Sequence, residues 1–594
     1  MRKTFGIIRD MSLKEKLAIM AAIVIILVCR LWNIVDLNGP IIFDDEAGYW
    51  GHAANLMGLP WNSVEGAWYS YGYSLLLCFL FPVSHNMGVL YRLAISLNAI
   101  LGVLSFLLGF SLINELEIRC GKIARIWISF LAVMYSAYMF QAQIAWSETF
   151  LYTWFLVVLL TGVRFCKNSN GRNAVCSSVS VFFLYVIHNR ALAIIVAYFL
   201  MLGYMLVQKK IDMRRFAKIV FLMIAMVCLN DYAKDYVTLM MLGQRRGYSG
   251  NDLASHTSKA SLLLSPNGWV KLFFSLIGKI WYLSTATFLL AFSGIAYIVK
   301  KYIKMLQDKA NKELKYFYFF VFFSVLGTLA IATVSTLPRM VDYSVETRLD
   351  IYFYGRYSDM VSGILIIFGV LNILEFVKDR KSYLEEIFIV LGYLLITFIF
   401  YMQIKDISRY YVNTACVPGI WRSTENLDVI FCACNSVLFL TISVILANIR
   451  KNRLMEIVIY LWIGILLPVS FICISQRAYH NGIEPAQEFI SRYADIYATL
   501  NRYTDFPVYS AESNYNYGQA LRTRVVDGRF MYSAPRRYAN NFFLIADKQG
   551  LNEVELSGTY YSIFEIEDQY LLIKGDKLHD ILGSDGFNPV EYVY

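Results

Sequence analysis

Cysteine chemistry is nearly absent from this chain. Ten cysteines are present, but no CxxC pair and no Cys/His cluster has zinc-ligand spacing. Most, such as Cys29, Cys78 and Cys228, sit inside apolar runs, and Cys432 and Cys434 read as small apolar residues. None follows Cys473, so the polar tail has no disulfide. No small-residue cleavage site follows the first apolar run, which makes it a retained anchor rather than a signal peptide. No internal repeat is visible, which weighs against the repeat symmetry of a transporter.

Apolar length is abundant. Hydrophobic residues are 58% of 594, above the roughly 45–50% of a soluble domain. Runs near the ~20 residues that cross a bilayer recur along most of the chain. The net charge of +10 comes from short basic loops between apolar runs, so it is topological and not a nucleic-acid signal. The fold class expected is an α-helical polytopic membrane protein. About 13 transmembrane helices are expected, near 17–35, 89–114, 123–142, 146–165, 175–188, 191–207, 216–230, 270–299, 316–337, 358–377, 384–402, 428–449 and 454–474. Arg119, Lys122 and Arg125, then Lys209, Lys210, Arg214 and Arg215, then Lys300, Lys301 and Lys304, all fall on one side. That places the N-terminus in the cytoplasm. An odd count sends the tail, 476–594, outside. It alternates in FFLIAD and YLLIKGD, as a small extracytoplasmic α/β domain would. The division is thus 1–475 and 476–594, in the plasma membrane of a bacterium.

The first outer loop, 36–74, carries PIIFDDEAGYWGHAANLM with Asp44, Asp45 and Glu46 in succession. Carboxylates at a membrane surface are functional-site candidates. A helix start is the structural alternative, since acids favour a first turn. A divalent-cation site is another. The favoured reading is a general base with an orienting carboxylate. Trp50, Ala53, Ala54 and Met57 recur at helical spacing, which predicts a short interfacial helix. Two short spans meet at His188-Asn189-Arg190, a charged turn expected to line a cavity, with Glu148 of WSETF at a similar level. Arg356 and Tyr357 of YFYGRYSDM stand where an outer loop enters a span; a guanidinium there suits a phosphate. Lys271 and Arg348 are further outer-face cations. Acids facing cations at one surface fit group transfer from a lipid phosphate. The leaving phosphate needs its charge stabilised, and the acceptor hydroxyl needs a base.

On these residues the chain resembles the GT-C superfamily of glycosyltransferases, in the branch of the protein O-mannosyltransferases and the lipid A aminoarabinose transferase. Asp45-Glu46 followed by Tyr49 and 53–56, WSETFLY, HNRAL and YGRYSD carry the likeness. The resemblance implies inverting transfer from a polyprenyl-phosphate sugar to an extracytoplasmic glycan, lipid or protein. It implies Asp45 as base and Arg190 and Arg356 at the donor phosphate, with no cofactor required. Asp44 leaves the base open by one position. The segment 69–74, YSYGYS, stands where many relatives have a proline pair. The rival readings are a lipid-linked sugar flippase and a surface-polysaccharide polymerase or ligase.

Overall fold

The structure is a computed structural model. It describes residues 9–592 except 41–43, 60–69, 85, 119, 243–264, 308–312, 343–348, 377–381, 404–427, 450–457, 459–460, 512–529, 533–538, 554–557 and 567. Most of the outer loops at 231–269, 338–357 and 403–427, and Arg348 with them, lie wholly or partly outside these residues. The chain is a multi-pass membrane protein. Among the described residues nine helices are long and apolar enough to cross a bilayer, or up to eleven if each of two bent pairs is one span.

That count is below the expected 13: the runs at 123–142 and 175–188 fall short of a span, and those at 270–299 and 358–377 lie in the two bent pairs. The run at 123–142 divides into Lys122–Val133 and Ser136–Gln141, parted by Tyr135 at ψ 132°. Neither piece has the ~20 residues of a span. The run at 270–299 divides into Pro266–Ala286 and Leu290–Gln307, bent by 99°. Phe288 and Leu289 make that bend with φ of 51° and 65°. Bulky side chains adopt the left-handed region only under tertiary constraint; both are buried here. Hydropathy does not register such a corner, because its residues are themselves apolar.

The acidic segment forms the helix Asp44–Leu56. Its Trp50, Ala53 and Ala54 are fully buried and Met57 is exposed. The helix therefore packs inside the protein instead of lying on lipid as expected. The short piece Gly72–Cys78 packs against it. Helix Gly171–Ile187 is followed by a 3-10 turn, Asn189–Ala191, and helix Leu192–Val207, as the two-short-spans reading requires.

After the long helix Leu467–Ser491 the tail forms a six-stranded mixed sheet. Its strands are β1 (Val508–Ala511), β2 (Phe530–Tyr532), β3 (Phe542–Asp547), β4 (Tyr560–Ile566), β5 (Gln569–Lys574) and β6 (Val590–Tyr592), in the order β2-β1-β3-β5-β4-β6. β2, β1 and β3 are parallel; β3, β5, β4 and β6 pair antiparallel. Phe543, Ile545, Leu571 and Ile573 point to one face and pack on the helices Ala494–Arg502 and Asp576–Ser584, giving the expected α/β tail its own core.

Candidate active site

Three segments far apart in sequence meet at Glu148. Its Oε1 accepts from Arg190 Nη2 at 2.6 Å and from Arg356 Nε at 2.6 Å. Arg356 extends its Nη2 to Asp45 Oδ2, closing a chain Arg190–Glu148–Arg356–Asp45. Glu148 is 0% exposed, the two arginines 8% and 6%. Two buried cations against two carboxylates bring the cluster near neutrality, which makes it tolerable at this depth. Glu148 Oε2 is buried and has no hydrogen-bond partner among the described residues.

Each guanidinium is fixed further. Arg356 lies 3.8 Å over the Trp146 ring, and Arg190 lies 4.9 Å from the Tyr357 ring centroid. Arg190 Nη1 donates to the Arg356 carbonyl at 2.9 Å. His188 Nδ1 accepts from the Arg190 backbone N at 3.2 Å and its Nε at 3.4 Å, so that nitrogen is unprotonated. The fork of Arg356 is aimed by Gly355, where a Cβ would stand 1.8 Å from the Tyr282 ring. Only glycine lets this backbone lie against that ring.

The turn carrying Trp146 and leading into Glu148 is irregular and deep in the protein. Its carbonyls are satisfied by side chains, as a buried non-helical backbone requires. Asn98 Nδ2 donates to the Ala142 and Ile144 carbonyls at 3.2 and 3.0 Å, and the Tyr91 hydroxyl lies 3.3 Å from Gln143 O, the longer arm of a donation shared with Glu46. Glu46 belongs to this support. Its Oε1 accepts from the Tyr91 hydroxyl at 2.8 Å and the Ala145 amide at 2.7 Å. Tyr49 donates to Ser147 Oγ at 2.8 Å; burial, with Glu148 and Asp45 nearby, pushes its hydroxyl's pKa up and keeps it neutral. Asp44 opens the helix, and its side chain lies outside the described residues.

Asp45, Glu148, His188, Arg190, Arg356 and Tyr357 are thus brought together. Lys271 stands apart: its ammonium donates to the Met340 carbonyl. Two turns further along, the buried Lys279 holds the approach to Arg356, donating to the Ile351 carbonyl at 3.0 Å. Sequence reasoning passed over Lys279, although a lysine in the middle of an apolar helix was the available signal. Trp146 and Asp359 were also missed, though both lie in the quoted motifs. Asp359 is buried and takes Tyr135 OH at 3.0 Å and Gln141 Nε2 at 3.3 Å. Among the described residues no group of three or more His, Cys, Asp or Glu could hold a metal ion.

The architecture matches solved membrane proteins. ArnT from Cupriavidus metallidurans bound to undecaprenyl phosphate aligns over 94% of this chain and 98% of its own, with TM-score 0.52 and 10% identity. The same protein in the apo state aligns over 94% and 98%, with TM-score 0.50 and 11% identity. The chain has a GT-C fold. At these identities the likeness is one of fold. No family model matches the sequence, and no curated protein is significantly similar to it. In this chain the acidic helix, the turn before Glu148, the His188–Arg190 turn and the Arg356 segment together build one charged centre.

Proposed function

We propose that this protein is a membrane glycosyltransferase that moves a sugar from a polyprenyl-phosphate donor to a hydroxyl of an extracytoplasmic glycan, lipid or protein acceptor. The observation that carries the reading is the ion-pair chain in which Glu148 joins the buried Arg190 and Arg356, and Arg356 reaches on to Asp45. Binding of undecaprenyl phosphate by ArnT, of the same fold, is consistent with it.

Arg356 and Arg190 hold the donor phosphate, with Tyr357 beside them. The acceptor oxygen attacks the anomeric carbon while the bond from that carbon to the phosphate oxygen breaks. Asp45 takes the acceptor proton, and the phosphate leaves with the electron pair, so the configuration inverts. The guanidiniums stabilise the charge that gathers on the leaving phosphate, and no proton donor is needed there. Arg356 already has Asp45 as partner, so an incoming phosphate takes that place and frees the carboxylate to act as base. Glu148 keeps the two forks apart and aimed. No cofactor enters this scheme. The site faces the outer surface, where a lipid-borne donor replaces the nucleotide sugars of the cytoplasm.

The test is purified full-length protein with a panel of polyprenyl-phosphate hexoses and pentoses, scoring release of the bare lipid phosphate. Release with at least one donor supports the reading. Transport of intact donor across a vesicle, with no release, would replace it with the flippase reading.

A further inference from the structure

The segment 70–74, SYGYS, has no part in the scheme above. Its placement is specific. At Gly72 a Cβ would come within 2.7 Å of the Ile187 backbone, so the segment lies directly on the end of helix Gly171–Ile187. That close approach sets Ser70 and Tyr71 beside the turn that carries Arg190. Ser70 Oγ donates to Asn189 Oδ1 at 2.9 Å. Helix Met213–Leu242, which also packs on the acidic helix Asp44–Leu56, adds Asn230 and Lys234 one turn apart. They are 1% and 6% exposed. Lys234 Nζ reaches the same Asn189 Oδ1 at 2.5 Å. The Tyr71 hydroxyl donates to Asn230 Oδ1 at 3.1 Å. This leaves Asn230 Nδ2 buried with no partner among the described residues.

A buried amide donor without an acceptor keeps its desolvation cost uncompensated, so the group is expected to serve a ligand. The chemistry around it is a neutral amide, hydroxyls, one cation held by an amide, and the Asp231 carboxylate close to the Tyr71 hydroxyl. Sugar hydroxyls, each both donor and acceptor, match that set. The neighbouring residue, Arg190, belongs to the charged centre, so a ring bound here would lie next to the scissile bond.

We infer that Asn230, Tyr71 and Ser70, backed by Asn189 and Lys234, form a saccharide subsite that reads the hydroxyls of a sugar ring. The ring belongs either to the lipid-linked donor or to an acceptor glycan. This rests on the glycosyl-transfer reading.

The test uses full-length protein in lipid nanodiscs, as wild type, Asn230→Leu and Tyr71→Phe. Tyr71→Phe deletes one oxygen and serves where Asn230→Leu does not fold. Affinities are measured for bare undecaprenyl phosphate and for undecaprenyl phosphate carrying the sugar that turns over best. If the ring is the donor's, the variants bind the bare lipid as the wild type does, and the gain from the sugar falls about tenfold. If it is the acceptor's, both lipid affinities hold and the KM for the acceptor glycan rises about tenfold. Unchanged values throughout, or equal weakening of both lipids, would overturn the subsite. Failure of the wild type to bind even bare undecaprenyl phosphate would overturn the glycosyl-transfer reading, and the subsite with it.

Discussion

Arg356 gives the sharpest perturbation. In the free protein its Nε binds Glu148, its Nη2 binds Asp45, and its plane rests on Trp146. A phosphate held by this fork gains two charge-assisted hydrogen bonds, each worth roughly 1.5–3 kcal/mol. Arg356→Ala removes both, and Asp45 then faces the phosphate with no cation between them. The loss is about 3 kcal/mol or more, which is at least about a hundredfold in affinity. Arg356→Lys keeps the charge but presents a point instead of a fork, so it loses about one of the two bonds, roughly ten- to a hundredfold. The assay is binding of bare undecaprenyl phosphate to full-length protein, with thermal unfolding measured in parallel to show that the variants fold. The expected order is wild type, then lysine, then alanine. A folded Arg356→Ala protein with wild-type affinity would return Arg356 to a structural ion pair.

Asp45→Asn removes the base and the competitor together. Turnover falls by roughly 10²–10⁴-fold, while affinity for the bare lipid phosphate holds or rises; an active Asp45→Asn enzyme would move the base to Asp44 or end the proposal. Glu148→Gln leaves two buried guanidiniums against Asp45 alone, so stability falls by up to about 3–5 kcal/mol; an unchanged unfolding temperature would mean the cluster is neutralised in another way. Gly355→Ala drives a methyl into the Tyr282 ring; overpacking of about 1–3 kcal/mol is expected with weaker lipid binding, and normal binding in a folded variant would separate Gly355 from the aim of Arg356.

Much of the candidate site was legible because charge is rare within apolar sequence. Asp45, Glu148, Arg190 and Arg356 stand out against their neighbours, and burial obliges such residues to meet partners. That Glu46 supports the turn before Glu148 was not legible, since adjacent acids look alike until their partners are known. Lys271 reads as an outer-face cation in the sequence, and Lys279 does not enter that reading; the three-dimensional path of Ile351 is what makes Lys279 the anchor. Trp146 is one aromatic in a chain with 16% of them, so only its stacking on Arg356 distinguishes it. For the fold, hydropathy found the apolar runs but could not place the corner at Phe288 and Leu289 or the break at Tyr135. Both are turns made of apolar residues, where the usual glycine and proline signals are missing. The short apolar runs FFLIAD and YLLIKGD were enough to anticipate β3 and β5, which pair antiparallel in the tail; both strands are buried on both faces, so the expected alternation is not seen in them.

The exchange of partners at Arg356 is tested most directly by an experimental structure of the full-length protein with bare undecaprenyl phosphate. The phosphate is expected within hydrogen-bond distance of the Arg356 fork, with Asp45 detached from it and open to solvent or acceptor. A phosphate bound elsewhere, with the Asp45–Arg356 pair still closed, would contradict the account.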